Sequence, residues 1–362
     1  MVAYVALYIY LIVVSIITWK KENNTIFFLS ALLVALLPAL RAVSVGTDTI
    51  NYVNYFLYPS RGYNDQLIEF GYEVWNDIIR FIWYNEYFFL FSSSLLAMSG
   101  VIFFIYKESP YRTFSLLLFV IVEQFYFMEF SGMRQVIAIS FFLFALYYYH
   151  ANTPDKKKAF LFFVLAMLFH ATVAWTLPFI LFLDKVSFKK KWVYILLVLS
   201  FIAGLYGVFD YRSAIATIFG MVNVGDGLVN KYGGYSDFTV ENESNSHRIL
   251  WDMLPLSVIC LGIVISQKQI DYHYLKLFIT GVVVNNLIIS YPIGFRIVIY
   301  LLILIVIIVP KAFNRQGLLA AIIYTLIVVY YLYKSCSILL VQFNPLFVGN
   351  KVVPYKTYLD EK

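Results

Sequence analysis

The chain has 362 residues, of which 62% are hydrophobic and 13% charged, where an ordinary soluble domain carries about 25% charge. That composition excludes a soluble globule, and the net charge of +6 then reflects loop charges that orient a membrane protein, not a nucleic-acid partner. Cys260 and Cys336 lie in apolar runs without CxxC or His/Cys spacing and read as inert packing residues.

Apolar runs of roughly 17 to 25 residues, the length of a membrane-crossing helix, recur from end to end. They predict spans near 2–19, 25–40, 86–106, 112–129, 133–150, 158–170, 171–183, 191–209, 249–266, 273–290, 296–309 and 317–334. The first run lacks a basic start and a small-residue cleavage pattern, so it reads as a span and not a leader. The expected fold is therefore an all-α polytopic membrane protein, one transmembrane domain over 1–362 with about 11–12 transmembrane helices. Short interfacial helices and two long extracytoplasmic segments, 41–85 and 210–248, complete it. The stretch 158–183 is long for one helix and short for two; one span, two spans and a re-entrant hairpin all remain open.

If the connection at Lys20 is cytoplasmic, strict alternation satisfies the positive-inside rule at every turn. The inner loops then hold thirteen Lys and two Arg, the outer segments five Lys and seven Arg. Lysine meets the topological need, so the outer arginines require another reason. Guanidinium binds phosphate through two parallel hydrogen bonds, which an ammonium cannot match. Arg41, Arg134, Arg248 and Arg296 sit at predicted span ends, at head-group depth, and as a set suggest an organised anion site; singly, each reads rather as snorkelling to lipid phosphate or pairing with an acidic residue.

In chain order, "LRAVSVGTDTINYVNYF" (40–56) turns at Gly46 and starts an interfacial helix that Thr47 or Asp48 can cap. Ile50, Val53 and Leu57 form its apolar stripe, flanked by tyrosines that include Tyr52. A second helix in "QLIEFGYEVWNDIIRFIW" sets Ile68, Tyr72, Trp75, Ile79 and Ile82 on one stripe and Glu69, Glu73, Asn76 and Arg80 on another. Its carboxylates read either as a general-base pair or as a solvated stripe bridged to Arg80. Further on, Glu123, Gln124 and Glu129 lie at depth before "SGMRQ". Arg134 at a helix N-terminus is placed to hold an anion, or to pair simply with Glu123 or Glu129. His170, amid apolar residues, is either a core histidine or a phosphate or proton contact. The 210–248 loop offers Tyr232 and Tyr235 for stacking on sugar rings.

There is no Walker loop, GxGxxG, HExxH or GxSxG, so neither cofactor nor metal is expected. The stretch quoted above, with "EFGYE", "SGMRQVIAISFFLFAL", "LFHATVAWTLPFIL" and "YPIGFRIVIYLLI", resembles the EpsG-type branch of the Wzy-like polysaccharide polymerases over about Leu40 to Leu302. The family pattern falls on Arg41, Gly46, Asp48, Tyr52, Glu69, Tyr72, Arg134, Gln135, His170, Arg296 and Tyr300. The sequence departs from it at "GFR", a single arginine where many members double it, and at Phe70, where proline is common.

The resemblance implies a GT-C-like polymerase or ligase architecture in the bacterial cytoplasmic membrane, with its active site on the extracytoplasmic side. It implies joining of oligosaccharide repeat units carried on undecaprenyl pyrophosphate, for O-antigen, capsule or exopolysaccharide, beside membrane lipid, a chain-length regulator and a flippase. On that expectation Arg134, Arg296, Arg41 and Arg248 hold pyrophosphate, and Asp48, Glu69 and His170 compete as base. Tyr52, Tyr72, Gln135, Tyr232, Tyr235 and Tyr300 touch sugar. The alternative, a flippase of the same lipid-linked unit, needs matched halves and a midplane cavity; the sequence shows no internal repeat.

Overall fold

A computed structural model describes residues 1–59, 69–207, 249–267, 272–289, 294–312, 318–344 and 351–361. Among them the chain is helical, apart from an isolated β-bridge between Arg41 and Thr357. The helices that carry the argument are α1 (Val2–Ile17), α2 (Asn24–Ala39), α3 (Thr49–Leu57), α4 (Phe70–Ile82), α5 (Glu86–Glu108) and α6 (Arg112–Ile121). Two single turns follow, α7 (Glu123–Tyr126) and α8 (Met128–Ser131), then α9 (Met133–His150) and α10 (Lys156–Phe169). Side-chain caps start several of them: Asn23 accepts from the amides of Thr25 and Ile26, Asn85 from Phe88, and Asp155 from Lys158.

By length and composition the described helices meet the expected 11–12 spans only in part. Among the described residues, Glu86–Glu108 and Ala321–Val341 alone are long and apolar enough to cross a membrane unaided, and two bent pairs raise the number to four. Shorter apolar helices are Val2–Ile17, Asn24–Ala39 and Trp251–Ser266. The difference lies in breaks, of which the apolar runs leave open only the one in 158–183. The predicted span 112–129 is α6 followed, after an 80° bend, by Gln124–Ser131, and the one at 296–309 breaks between Leu302 and Ile305. The 158–183 stretch is α10, an extended His170, a 3-10 turn over Ala171–Thr176 and the short helix Leu177–Phe182.

Along α2 both faces carry apolar side chains. Phe27, Ser30, Ala31, Val34 and Ala35 face inward, while Phe28, Leu29, Leu32 and Leu33 are about half exposed. The Lys190–Leu205 helix repeats the pattern, with Val193, Leu197, Ser200 and Gly204 buried and Leu196, Val198 and Leu199 outward. Large apolar residues on the outer face, and small ones among those buried, fit a membrane protein, where helices associate through close packing and short hydrogen bonds.

The chain divides into two compact units. In the first, which holds 1–62, 68–173 and 309–362, α5 packs on α2 and α9, α9 on α10, and α6 on α1 and α2. The short helices α3 and α4 lie against α5, and α4 also meets α10. In the second, 63–67 and 174–308, the helix His273–Leu287 packs on Lys190–Leu205 and on Gly294–Leu302. There Asn286 links helices by donating to Ser200 Oγ and accepting from Ser257 Oγ, both at 3.2 Å.

Candidate functional site

The first unit gathers most of the sequence-selected residues around one turn, Phe130–Gly132, which leads into α9. Gly46 makes the approach feasible: its φ of +97° is open to glycine, and a Cβ there would overlap the Phe130 carbonyl. From the same segment Thr47 N donates to Ser131 Oγ at 2.9 Å, Thr49 Oγ1 to Phe130 O at 2.9 Å, and Tyr52 Oη to Ser131 O at 3.1 Å. Residues 47–52 are thus stitched to 130–131. The hydroxyl of Thr49 also sets the rotation of α3, so its buried stripe is Thr49, Val53 and Phe56, whereas Ile50, expected inward, is half exposed. Asp48 stands at the N-cap of α3 without a side-chain capping bond, half-buried.

At the end of this turn Arg134 points to Glu69, with Nη1 to Oε2 at 2.5 Å and side-chain exposures of 21% and 13%. Its guanidinium lies over the rings of Tyr52 and Tyr72, 6.0 and 5.8 Å from their centroids. Gly132, the N-cap of α9, has no side chain to cap the first amides of that helix. Glu69 is itself the N-cap residue of α4, a helix that begins at Phe70. Among the described side chains Arg134 thus pairs with Glu69 and Glu129 stands by Arg41, while Arg80 pairs with Asp77 at 2.5 Å. Asn76, expected on the solvated stripe, is fully buried and donates to Tyr72 O, while Ile82 is 61% exposed.

Tyr72 is buried, packed edge-on to Tyr52 and stacked with Tyr55, and its hydroxyl has no hydrogen-bond partner of good geometry. Burial raises its phenol well above the usual tyrosine value, so it stays a neutral O–H donor. Tyr55 Oη donates to Glu73 Oε1 at 3.2 Å. Gly71 lets α4 come against the backbone of Leu168, which brings the end of α10 and the extended His170 to the first turn of α4. His170 Nδ1 is 2.7 Å from Thr172 Oγ1. Gln135 is buried in the first turn of α9.

Arg41 departs most from expectation. Expected to hold pyrophosphate at the membrane surface, it occupies the interior, with no exposed surface. Nη1 donates to Pro38 O at 2.7 Å and Ser94 Oγ at 2.9 Å, and the guanidinium lies 5.5 Å from the Phe130 ring centroid. Glu129, equally sealed, is 4.0 Å away. The Nε and Nη2 of Arg41 and both carboxylate oxygens of Glu129 lack hydrogen-bond partners of good geometry, a state that costs about 1–3 kcal/mol for each buried polar group.

What covers Arg41 is the end of the chain. Ala42 N donates to Lys356 O, Tyr358 N to Leu40 O, and Gly46 N to Lys351 O. Gln342 Oε1 accepts from the amides of Val352 and Val353, and Tyr355 Oη donates to Leu37 O. No spacing rule links residues so distant in sequence; Ser94, this tail and the pairing of Glu129 with Arg41 are what sequence reasoning missed at the site. Arg296 and Tyr300 belong to the second unit, the former exposed and the latter buried. Arg248, Tyr232 and Tyr235 lie outside the described residues.

Fold and site together define an all-helical protein with several apolar helices and an arginine-bearing polar site built on broken helices. A model of the EpsG family matches residues 24–357, nearly the whole chain, and the chain belongs to that family. No curated protein and no solved structure gives a significant match. Membership carries a polysaccharide-polymerase type of role, glycosyltransferase-like, with lipid-linked oligosaccharide as its general substrate class.

Proposed function

We propose that this protein joins oligosaccharide repeat units carried on undecaprenyl pyrophosphate, at the extracytoplasmic face of the bacterial cytoplasmic membrane, and that the Arg134–Glu69 pair is the working centre. The observation that carries this is a partly exposed arginine on an uncapped helix N-terminus, held by a single carboxylate and flanked by two tyrosine rings. Guanidinium and helix amides together favour a pyrophosphate.

The pair also suggests an exchange. Without substrate, Glu69 occupies the guanidinium. An arriving pyrophosphate competes for the same donors and releases the carboxylate, which takes the proton of the acceptor sugar hydroxyl. That oxygen bonds to the anomeric carbon of the donor glycan as the bond from this carbon to the pyrophosphate oxygen breaks. Arg134 stabilises the charge left on the departing lipid pyrophosphate. Tyr52 and Tyr72 flank the sugar, with Asp48 and His170 as further proton-accepting groups on the same unit.

The test is a purified-protein assay with lipid-linked repeat units, scored for a ladder of products. Arg134→Lys keeps the charge and loses the fork, so the expected outcome is a folded protein that leaves single repeat units unjoined. A full-length ladder from that variant removes Arg134 from the mechanism. Movement of the lipid-linked unit across vesicles without any ladder would make the protein a flippase.

A further inference from the structure

Two segments of the first unit run together, 41–52 and 129–134. Their contacts form a series: Arg41 beside Glu129 and over Phe130, Thr49 on Phe130 O, Thr47 and Tyr52 on Ser131, and Arg134 over Tyr52. One end of the series is sealed, the other partly open. We propose that Arg41 and Glu129 are a positioning pair that holds the Phe130–Gly132 turn in register and so aims Arg134, without touching the pyrophosphate. This deepens the polymerase reading above and rests on it for the consequence in catalysis.

Three observations support it. Arg41 has no surface through which an anion could reach it, because Pro38, Ser94, Phe130 and the bridge to Thr357 enclose it. A carboxylate stands beside it, which disfavours a second negative group there. Finally, the pair is poorly satisfied, with orphaned atoms on both partners. A buried pair of that kind contributes little net stability, whereas removal of one partner leaves an uncompensated charge next to the turn. Its role is then to select one arrangement of the two segments.

The pair is a unit only if its two members fail alone and recover together. The experiment uses the full chain in detergent with lipid-linked repeat units, and compares Arg41→Gln, Glu129→Gln and the double variant. Each single variant is expected to lower kcat by about a hundredfold, the scale of a reacting group misplaced by about 1 Å, with KM for the lipid-linked donor unchanged. The double variant, which carries no unpaired charge and allows an amide–amide hydrogen bond, is expected to regain most of the loss.

A raised KM in Arg41→Gln with no recovery in the double variant would make Arg41 an anion ligand and overturn the proposal. So would single variants as active as the parent. Hydrogen exchange of residues 128–136, read by mass spectrometry without substrate, gives a second measure: faster in each single variant and restored in the double. Unchanged exchange in the single variants rejects the pair even if no preparation makes polymer, while a parent protein that exchanges as expected yet forms no ladder rejects only the polymerase reading. Should the Gln variants not fold, Arg41→Lys keeps the charge balance and is expected to retain both the exchange pattern and a larger share of kcat. A lysine variant that folds and shows the parent's exchange but a raised donor KM would overturn the assignment.

Discussion

Arg134 and Arg41 are the same residue type beside the same turn, yet one is a fifth exposed and 2.5 Å from its carboxylate, and the other is sealed and 4.0 Å from its own. Both stand next to predicted spans, so distance from an apolar run does not decide whether a cation meets solvent. What covers it decides. Over Arg41 lie the residues 351–358, the far end of the chain. Beside Arg134, among the described residues, stand two tyrosine rings and one carboxylate, which can yield to a competing anion. The open pair can change partners; the closed one can only hold a geometry.

The largest effect that tests this contrast is on stability. Glu129→Leu leaves Arg41 charged and enclosed, and is expected to cost about 3–5 kcal/mol in denaturant unfolding of the purified chain. Glu69→Leu should cost well under that, because Arg134 is near enough to the surface to regain water. Equal losses from the two would erase the distinction. Next comes Gly46→Ala, which sets a side chain at a φ of +97° and against the Phe130 carbonyl. An expected loss of about 1–3 kcal/mol should be accompanied by faster exchange in the amides of the adjoining turn. A variant as stable as the parent would mean that the two segments are not held as tightly as their hydrogen bonds indicate.

Much of this was legible in the sequence, for reasons specific to each residue. Gly46 followed by Thr-Asp marks a turn into a helix by local chemistry alone, and it is one. Arg134 directly after "SGM" reads as a helix N-terminus for the same reason. Hydropathy gives apolar helices but not every break: Val122 sits in an apolar run without altering its average, whereas the length of 158–183 leaves the break at His170 open. Pairing is harder still. Glu69 and Arg134 are 2.5 Å apart because α4, through Gly71, packs on α10, a contact that periodicity within either helix cannot express. The rotation of α3 likewise follows from the Thr49 bond to Phe130 and not from its own apolar stripe.

The smallest effects separate the two tyrosines under Arg134. Tyr52→Phe removes the bond to Ser131 O, and the expected loss is about 0.5–1.5 kcal/mol with some loosening of the turn. Tyr72→Phe removes a buried hydroxyl that has no partner of good geometry, so stability should stay level or rise. If that hydroxyl is kept for a sugar, polymer output of the same variant should nevertheless fall in the ladder assay, because the site loses a neutral donor that burial holds protonated at any working pH. Stability held and output lost together are the signature of a group retained for its ligand. If both stay level, Tyr72 acts through its ring alone, beneath the guanidinium of Arg134 and against Tyr55, and the sugar contact passes to Tyr52.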